Sequence, residues 1–95
     1  MVNKYVIVRT FSAGVFAGFL VNRKGKEITL KNARRLWRWA GAASLSQLAQ
    51  SGTSDPDNCK FPEVVSQIIL TEAIEILSVT PAAKRSIQAV DIWRV

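Results

Sequence analysis

The alternation of apolar and polar residues predicts a mainly β protein. Residues 5–10 are rich in β-branched and aromatic side chains and predict a first strand. Residues 15–21 predict a second strand that is apolar on both faces, so it is either central in a sheet or faces another copy of the chain. Residues 27–31 alternate cleanly, with Ile28 and Leu30 on one face. A turn at 12–14 and a hairpin turn at 22–25 join these segments.

Two segments leave alternatives open. The alternation slips at Asn32 and Ala33, which indicates a bulge or a short break, followed by strand or a tight connection over residues 36–39. An amphipathic helix that begins at Asn32 is the competing interpretation. Residues 64–79 fit both strand and helix periods. Their density of β-branched residues favours strand, with a kink near residues 71–72.

Capping signals predict two short helices and complete the fold class. Ser44 and Gln47 have the spacing of a capping box, which predicts a helix over residues 45–51 that ends before Gly52. Thr80 followed by Pro81 predicts a second helix through about Gln88. Residues 90–95 are expected to form a final strand. We therefore expect one α+β domain over residues 1–95, with a mainly antiparallel sheet of about five or six strands and two short helices.

The length and composition indicate a small soluble domain. A chain of 95 residues has a thin core, so we expect a homo-oligomer that buries more surface. The longest apolar stretch, residues 13–21, is far shorter than the roughly 20 residues of a membrane-spanning helix, so no membrane association is expected. The single cysteine, Cys59, fits a reducing compartment. We expect a cytoplasmic protein.

The charge is concentrated in one half of the chain. The net charge is +6, and residues 1–54 hold nine Lys or Arg but one acid, Glu27. Residues 55–95 hold four bases and six acids. A basic half attracts polyanions over long range, so phosphate-bearing ligands and nucleic acid are both candidate partners.

The sequence argues against catalysis. It has no histidine, which excludes a Ser-His or Cys-His pair and a histidine-bearing zinc site. Cys59 has no partner that would activate its thiol. Residues 55–58 resemble the start of a calcium loop, but Lys60 and Ser66 stand where that loop needs glycine and glutamate. We expect no catalytic residue, no metal and no cofactor, and so a protein that is not an enzyme.

Residues 34–39 provide the strongest functional signal. Arginines offer planar donors that suit phosphate, and indoles offer faces on which a base can stack. The candidate ligand-binding residues are Arg34, Arg35, Trp37, Arg38 and Trp39, with Arg9 assisting from the first strand. In the alternative interpretation, Leu36 and at least one of the two tryptophans belong to the core while the arginines face water. A mixed arrangement, with one tryptophan inward and one presented, is also open.

Six segments carry a resemblance that covers nearly the whole chain: residues 4–10, 12–18, 30–39, 41–49, 59–62 and 69–77. They resemble a family of small proteins from tailed phages and prophages that carries only a domain-of-unknown-function label. The resemblance implies a phage accessory protein made in a bacterial cytoplasm. It carries over no active-site residues.

Three functions remain open. The first is a non-enzymatic protein that binds a phosphate-bearing nucleotide. By analogy with unrelated small phage proteins, it would act as a sponge that sequesters a nucleotide second messenger of host immunity, a counter-defence role. The second is a nucleic-acid-binding protein that uses the same surface. The third is a protein-binding inhibitor of a host factor, with tryptophan and arginine as its hot spots.

Overall fold

The computed structural model describes residues 3–94 and confirms the α+β fold class. Two helices and a 3₁₀ turn accompany the strands. In chain order the elements are β1 (Lys4–Thr10), β2 (Val15–Lys24), β3 (Glu27–Arg35), α1 (Leu45–Ser51), the 3₁₀ turn (Pro56–Asn58), β4 (Val65–Leu70), β5 (Ala73–Ser78) and α2 (Pro81–Ala89).

The strands form an antiparallel sheet that curls on itself. The order across the sheet is β4-β3-β2-β1-β5, so β4 and β5 lie at opposite edges. Thr71 and Glu72 alone separate these two strands along the chain, so the edges meet at that point. The strand interpretation of residues 64–79 is thereby confirmed, and the expected kink is the bend between β4 and β5.

The curl produces two apolar layers. The concave face packs on itself and buries eight residues without any helical residue among them: Val6, Val8, Phe16, Leu20, Ile28, Leu30, Ala33 and Leu70. The convex face packs against α1 and α2. Both faces of β2 are therefore buried within one chain, which confirms a central position. Since both faces of β2 are covered within the chain, the apolar character of this strand does not require a second copy. The homo-oligomer stays a prediction.

Both helices begin where their capping residues predict. The Ser44 side chain accepts a hydrogen bond from the Gln47 amide at 3.2 Å, and the Gln47 side chain accepts one from the Ala43 amide at 2.8 Å. Thr80 caps α2 by accepting from the Ala83 amide at 3.1 Å. The Ser44 and Thr80 side chains satisfy amides that the first turn of a helix leaves unpaired, and Gln47 holds the residue just before the cap.

The bulge in β3 is confirmed, and the helix that competed with it is excluded. Asn32 has a φ of 47°, a left-handed conformation that asparagine tolerates, and the pairing between β2 and β3 shifts there. Gly18 lies opposite, and a Cβ on it would come within 2.6 Å of the Ala33 Cβ. Glycine is therefore required in β2 because the two backbones approach closely at the bulge.

The predicted strand over residues 90–95 is wrong within the described residues. The C-terminal segment makes one parallel bridge, between Phe61 and Ile92. The neighbouring segment is itself a loop and offers no strand edge along which pairing could extend. Val95 lies outside the described residues. Over residues 3–94, no helix is long and apolar enough to cross a membrane.

Candidate ligand-binding groove

The alternation of β3 sends the two neighbouring arginines to opposite faces of the sheet. Arg34 pairs with Ala17, whose side chain belongs to the convex, helix-covered face. Arg35 pairs with Phe16, whose side chain belongs to the concave face. Successive side chains of a strand point in opposite directions, so the two guanidiniums enter different environments.

Arg34 is buried and its guanidinium is bound to main-chain carbonyls. It is 2% exposed. It donates to the carbonyls of Phe61 at 2.7 Å, Pro62 at 3.2 Å, Val90 at 2.9 Å and Ile87 at 3.2 Å. The sequence-based expectation that Arg34 meets phosphate therefore needs correction, because its donors already have acceptors and water does not reach it.

These bonds explain why a cation lies in the core. The carbonyls of Ile87 and Val90 stand at the C-terminal end of α2, where the last turn lacks partners and a positive charge is favoured. The same guanidinium donates to the carbonyls of residues 61 and 62, so its hydrogen bonds link α2 to that loop. Burial lowers the pKa of Arg34 from its ordinary value, yet an arginine remains a cation at neutral pH.

Arg35 is the arginine that this end of the sheet presents to solvent. Its guanidinium carbon lies 4.7 Å from the centre of the Phe16 ring, a cation–π geometry that favours this position of the side chain. Among residues 3–94 no carboxylate pairs with it and no carbonyl accepts from it. Arg35 is therefore an exposed cation without an anionic partner among residues 3–94.

Arg35 borders a groove of about 570 Å³ that contacts all three tryptophans of the chain. Trp37 is 63% exposed, Trp93 is 39% exposed, and Trp39 is half-buried against the convex-face core. The mixed arrangement expected from the sequence is therefore the observed one, with Trp37 presented and Trp39 partly inward. We call this site the indole groove; its other lining residues are Ala13, Gly14, Val15, Leu36 and Pro62.

Trp93 is the residue that sequence reasoning missed. Its amide donates to the Phe61 carbonyl at 3.0 Å, and the Lys60 ammonium lies 5.3 Å from the indole. Arg94 pairs with Glu63 at 3.6 Å and holds the same segment. The sequence around Trp93 does not indicate which residues it contacts, because 53 residues lie between it and Trp39.

Arg38 and Arg9 lie outside the indole groove. The backbone of Arg38 pairs with that of Lys60, and its side chain borders a smaller cavity of about 210 Å³ that Trp93 and Asp57 also line. Arg9 donates to the Glu75 carboxylate at 3.1 Å. The structure thus joins Arg35, Trp37 and Trp39, places Arg38 beside Trp93 and separates Arg9 and Arg34 from the site.

The groove offers stacking faces and a cation rather than reactive groups. Its lining within the described residues includes no acid, hydroxyl or thiol side chain. Across residues 3–94, no group of three or more His, Cys, Asp or Glu side chains could hold a metal ion. The Cys59 thiol is 7% exposed and lies 3.5 Å from the Ala40 carbonyl. The arrangement can bind a planar, anionic molecule.

Comparison with known proteins gives one family. A family model described as a domain of unknown function (DUF6948) matches residues 3–87. No curated protein and no solved structure matches the chain. The matched range contains Arg35, Trp37 and Trp39 and ends before Trp93.

Proposed function

The chain belongs to the DUF6948 family, whose function is unknown, and we propose from its own geometry that it is a non-enzymatic protein that binds a phosphate-bearing nucleotide. The base stacks on the indoles of the groove, and the phosphate lies on Arg35. The observation that carries the proposal is that all three tryptophans border one groove beside a guanidinium that pairs with no carboxylate of the described residues.

The exposure of Trp37 is the first support. A large apolar side chain that is 63% exposed contributes little to the core, so its presence is explained better by a contact with something outside the chain. A stacked base gains about 1–3 kcal/mol from an aromatic side chain. The groove volume also falls within the range of about 300–1,000 Å³ that is typical of small-molecule sites.

The state of Arg35 is the second support. Its planar donors suit phosphate oxygens, and its contact with Phe16 reduces the side-chain freedom that binding would otherwise remove. A guanidinium already paired with a carboxylate would have to break that pair first. Arg35 has no such partner among residues 3–94, so it is ready to accept an anion.

The biological setting is a further part of the proposal. The resemblance to small tailed-phage proteins suggests an accessory protein that is made in the bacterial host cell and sequesters a nucleotide signal of host immunity. Sequestration requires tight binding without turnover, which agrees with a groove lined by indoles, aliphatic residues and one arginine. Expression of the protein in cells that carry a nucleotide-signalling defence should then restore phage growth, and loss of that effect in Trp37→Ala would tie it to the groove.

Tryptophan fluorescence provides a direct binding test. Every tryptophan of the chain borders the groove, so a base that stacks there should quench the emission of the whole protein. We would titrate purified protein with mononucleotides and cyclic nucleotides at physiological salt and measure thermal stability in parallel. A bound ligand at 100 times its dissociation constant adds about 2.7 kcal/mol of stability.

Three variants identify the site. Trp37→Ala and Arg35→Gln should each weaken binding at least tenfold. Arg23→Gln removes the same charge from β2 and should leave affinity unchanged, because Arg23 is seven residues along that strand from Phe16, the partner of Arg35, and so roughly 23 Å away. The proposal fails if no nucleotide quenches the emission at millimolar concentration. Binding that strengthens with oligonucleotide length and falls steeply with salt would instead favour a nucleic-acid-binding protein.

A further inference from the structure

A second groove adjoins the indole groove on the other side of Arg35. Its volume is about 480 Å³. Ala13, Arg35 and Pro62 line both grooves, so the two are adjacent and share a wall. We call the second one the aliphatic groove; its remaining lining residues are Phe16, Glu63, Val65, Ile68, Ile69 and Leu70.

We infer that the aliphatic groove takes the second ring of a dinucleotide, whose bridging phosphate lies on Arg35 while its first ring stacks in the indole groove. This inference rests on the proposed function and specifies its ligand class. A mononucleotide would fill one groove and leave the other open to water.

The apolar surface of the aliphatic groove supports a ring as its occupant. Val65 is 45% exposed and Ile69 is 54% exposed, although both belong to a chain with a small core. They lie on β4, an edge strand without charged residues. The face of a nucleobase is large and weakly polar, so it gains dispersion contacts against aliphatic side chains and covers them from water.

The charge pattern selects a dinucleotide over an uncharged apolar molecule. Among the described residues, Glu63 is the one acidic residue that lines the aliphatic groove. Its carboxylate forms an ion pair with Arg94 at 3.6 Å. Within the part of the chain that the structure describes, the charge without a partner in these grooves is therefore Arg35, and it lies on the wall that the two grooves share. A ligand that fills both grooves would place its central group at this cation, and in a dinucleotide that group is a phosphate. The net charge of +6 favours such an anion.

The test compares ligands that differ by one nucleotide. We would titrate AMP, GMP and the linear and cyclic dinucleotides of adenosine and guanosine, with tryptophan quenching as the readout. At least one dinucleotide should bind at least tenfold more tightly than the mononucleotide of the same base. In Val65→Ser and Ile69→Ser this advantage should shrink to threefold or less, while affinity for the mononucleotide stays unchanged.

Ile74→Ser is the matched control. Ile74 is an isoleucine on the other edge strand, is 49% exposed and borders neither groove, so the substitution should preserve the dinucleotide advantage. Circular dichroism would establish that each variant is folded. We expect all three to fold, because each of the three side chains is about half exposed and contributes little to the core.

The outcomes separate this inference from the proposed function. Equal affinity for mononucleotides and dinucleotides, both lost in Trp37→Ala, overturns the inference and leaves the proposed function intact. A dinucleotide advantage that survives in Val65→Ser and Ile69→Ser also overturns the inference, because the second ring would then lie elsewhere. The absence of quenching by any nucleotide overturns both.

Discussion

Replacement of Arg34 by methionine should destabilise the protein severely, although arginine is ordinarily a surface residue. Methionine fills a similar volume with an unbranched chain but donates no hydrogen bond. The variant therefore leaves the packing almost unchanged and removes the donors from four main-chain carbonyls, two at the end of α2 and two in the loop at residues 61–62.

The magnitude follows from those four bonds. A hydrogen bond to a charged group contributes about 1.5–3 kcal/mol, so four bonds contribute roughly 6 kcal/mol at the low end of that range. Methionine avoids the desolvation of a buried guanidinium, which offsets several kcal/mol. We expect a net loss of about 2–4 kcal/mol in the free energy of unfolding, against a total of about 5–15 kcal/mol for a domain. The melting temperature should fall by about 10–30 °C.

Urea denaturation followed by circular dichroism measures this loss. Arg35→Met is the matched control, since the neighbouring arginine is exposed and loses a cation–π contact worth about 0.5–1 kcal/mol. Arg34→Lys keeps the charge but has three donors from a single nitrogen, so it should fall between the wild type and Arg34→Met.

Two results would refute this reasoning. If Arg34→Met loses less than about 1 kcal/mol, the four carbonyls find other partners and the guanidinium does not fasten α2 to the loop. If Arg35→Met is as unstable as Arg34→Met, the difference in burial between the two arginines does not govern their roles.

Two further predictions concern the sheet. Gly18→Ala places a Cβ about 2.6 Å from the Ala33 Cβ and should cost about 1–3 kcal/mol in urea denaturation; the additional substitution Ala33→Gly should restore part of that loss, and no restoration would contradict the contact. Burial raises the pKa of Tyr5 to about 12, so the unfolded chain loses this proton near pH 10 while the folded protein keeps it. The stability that Tyr5 contributes is present below pH 10 and is lost as the pH rises toward 12, by roughly 2–3 kcal/mol. Melting curves of Tyr5→Phe should lack this loss, and identical pH profiles for both proteins would contradict it.

Several features of the fold could be predicted because their causes are local. Ser44 and Thr80 cap helices through amides three residues away, so the chain itself supplies both partners. Asn32 tolerates the left-handed conformation of a bulge wherever the strand lies. The two-residue bend between β4 and β5 also appears as a break in the alternation. The strand predicted for residues 90–95 failed because pairing needs a second strand, and the sequence does not reveal whether one lies alongside.

The part of the candidate site that could be predicted is also the part formed by residues close together in the sequence. Arg35, Trp37 and Trp39 are close in sequence and remain close in space, so a local motif found them. Trp93 completes the groove through a contact with Phe61, 32 residues earlier in the chain, and no local pattern indicates that pairing. The aliphatic groove likewise depends on β4 lying beside β3, which only the assembled sheet establishes.

Arg34 and Arg35 show where the sequence stops and the tertiary structure decides. The sequence favoured a strand with a bulge over a helix at these residues, and it placed both arginines in one candidate site, although neighbouring side chains of a strand point to opposite faces. It did not determine which face would be covered. That depended on α2, whose carbonyls lie 53 and 56 residues beyond Arg34 and reach its guanidinium only when the helix packs on the convex face. Arg34 is therefore buried and hydrogen-bonded to α2, whereas Arg35 is an exposed cation. The two side chains are identical, and the tertiary structure alone decides which of them reaches hydrogen-bond acceptors and which reaches solvent.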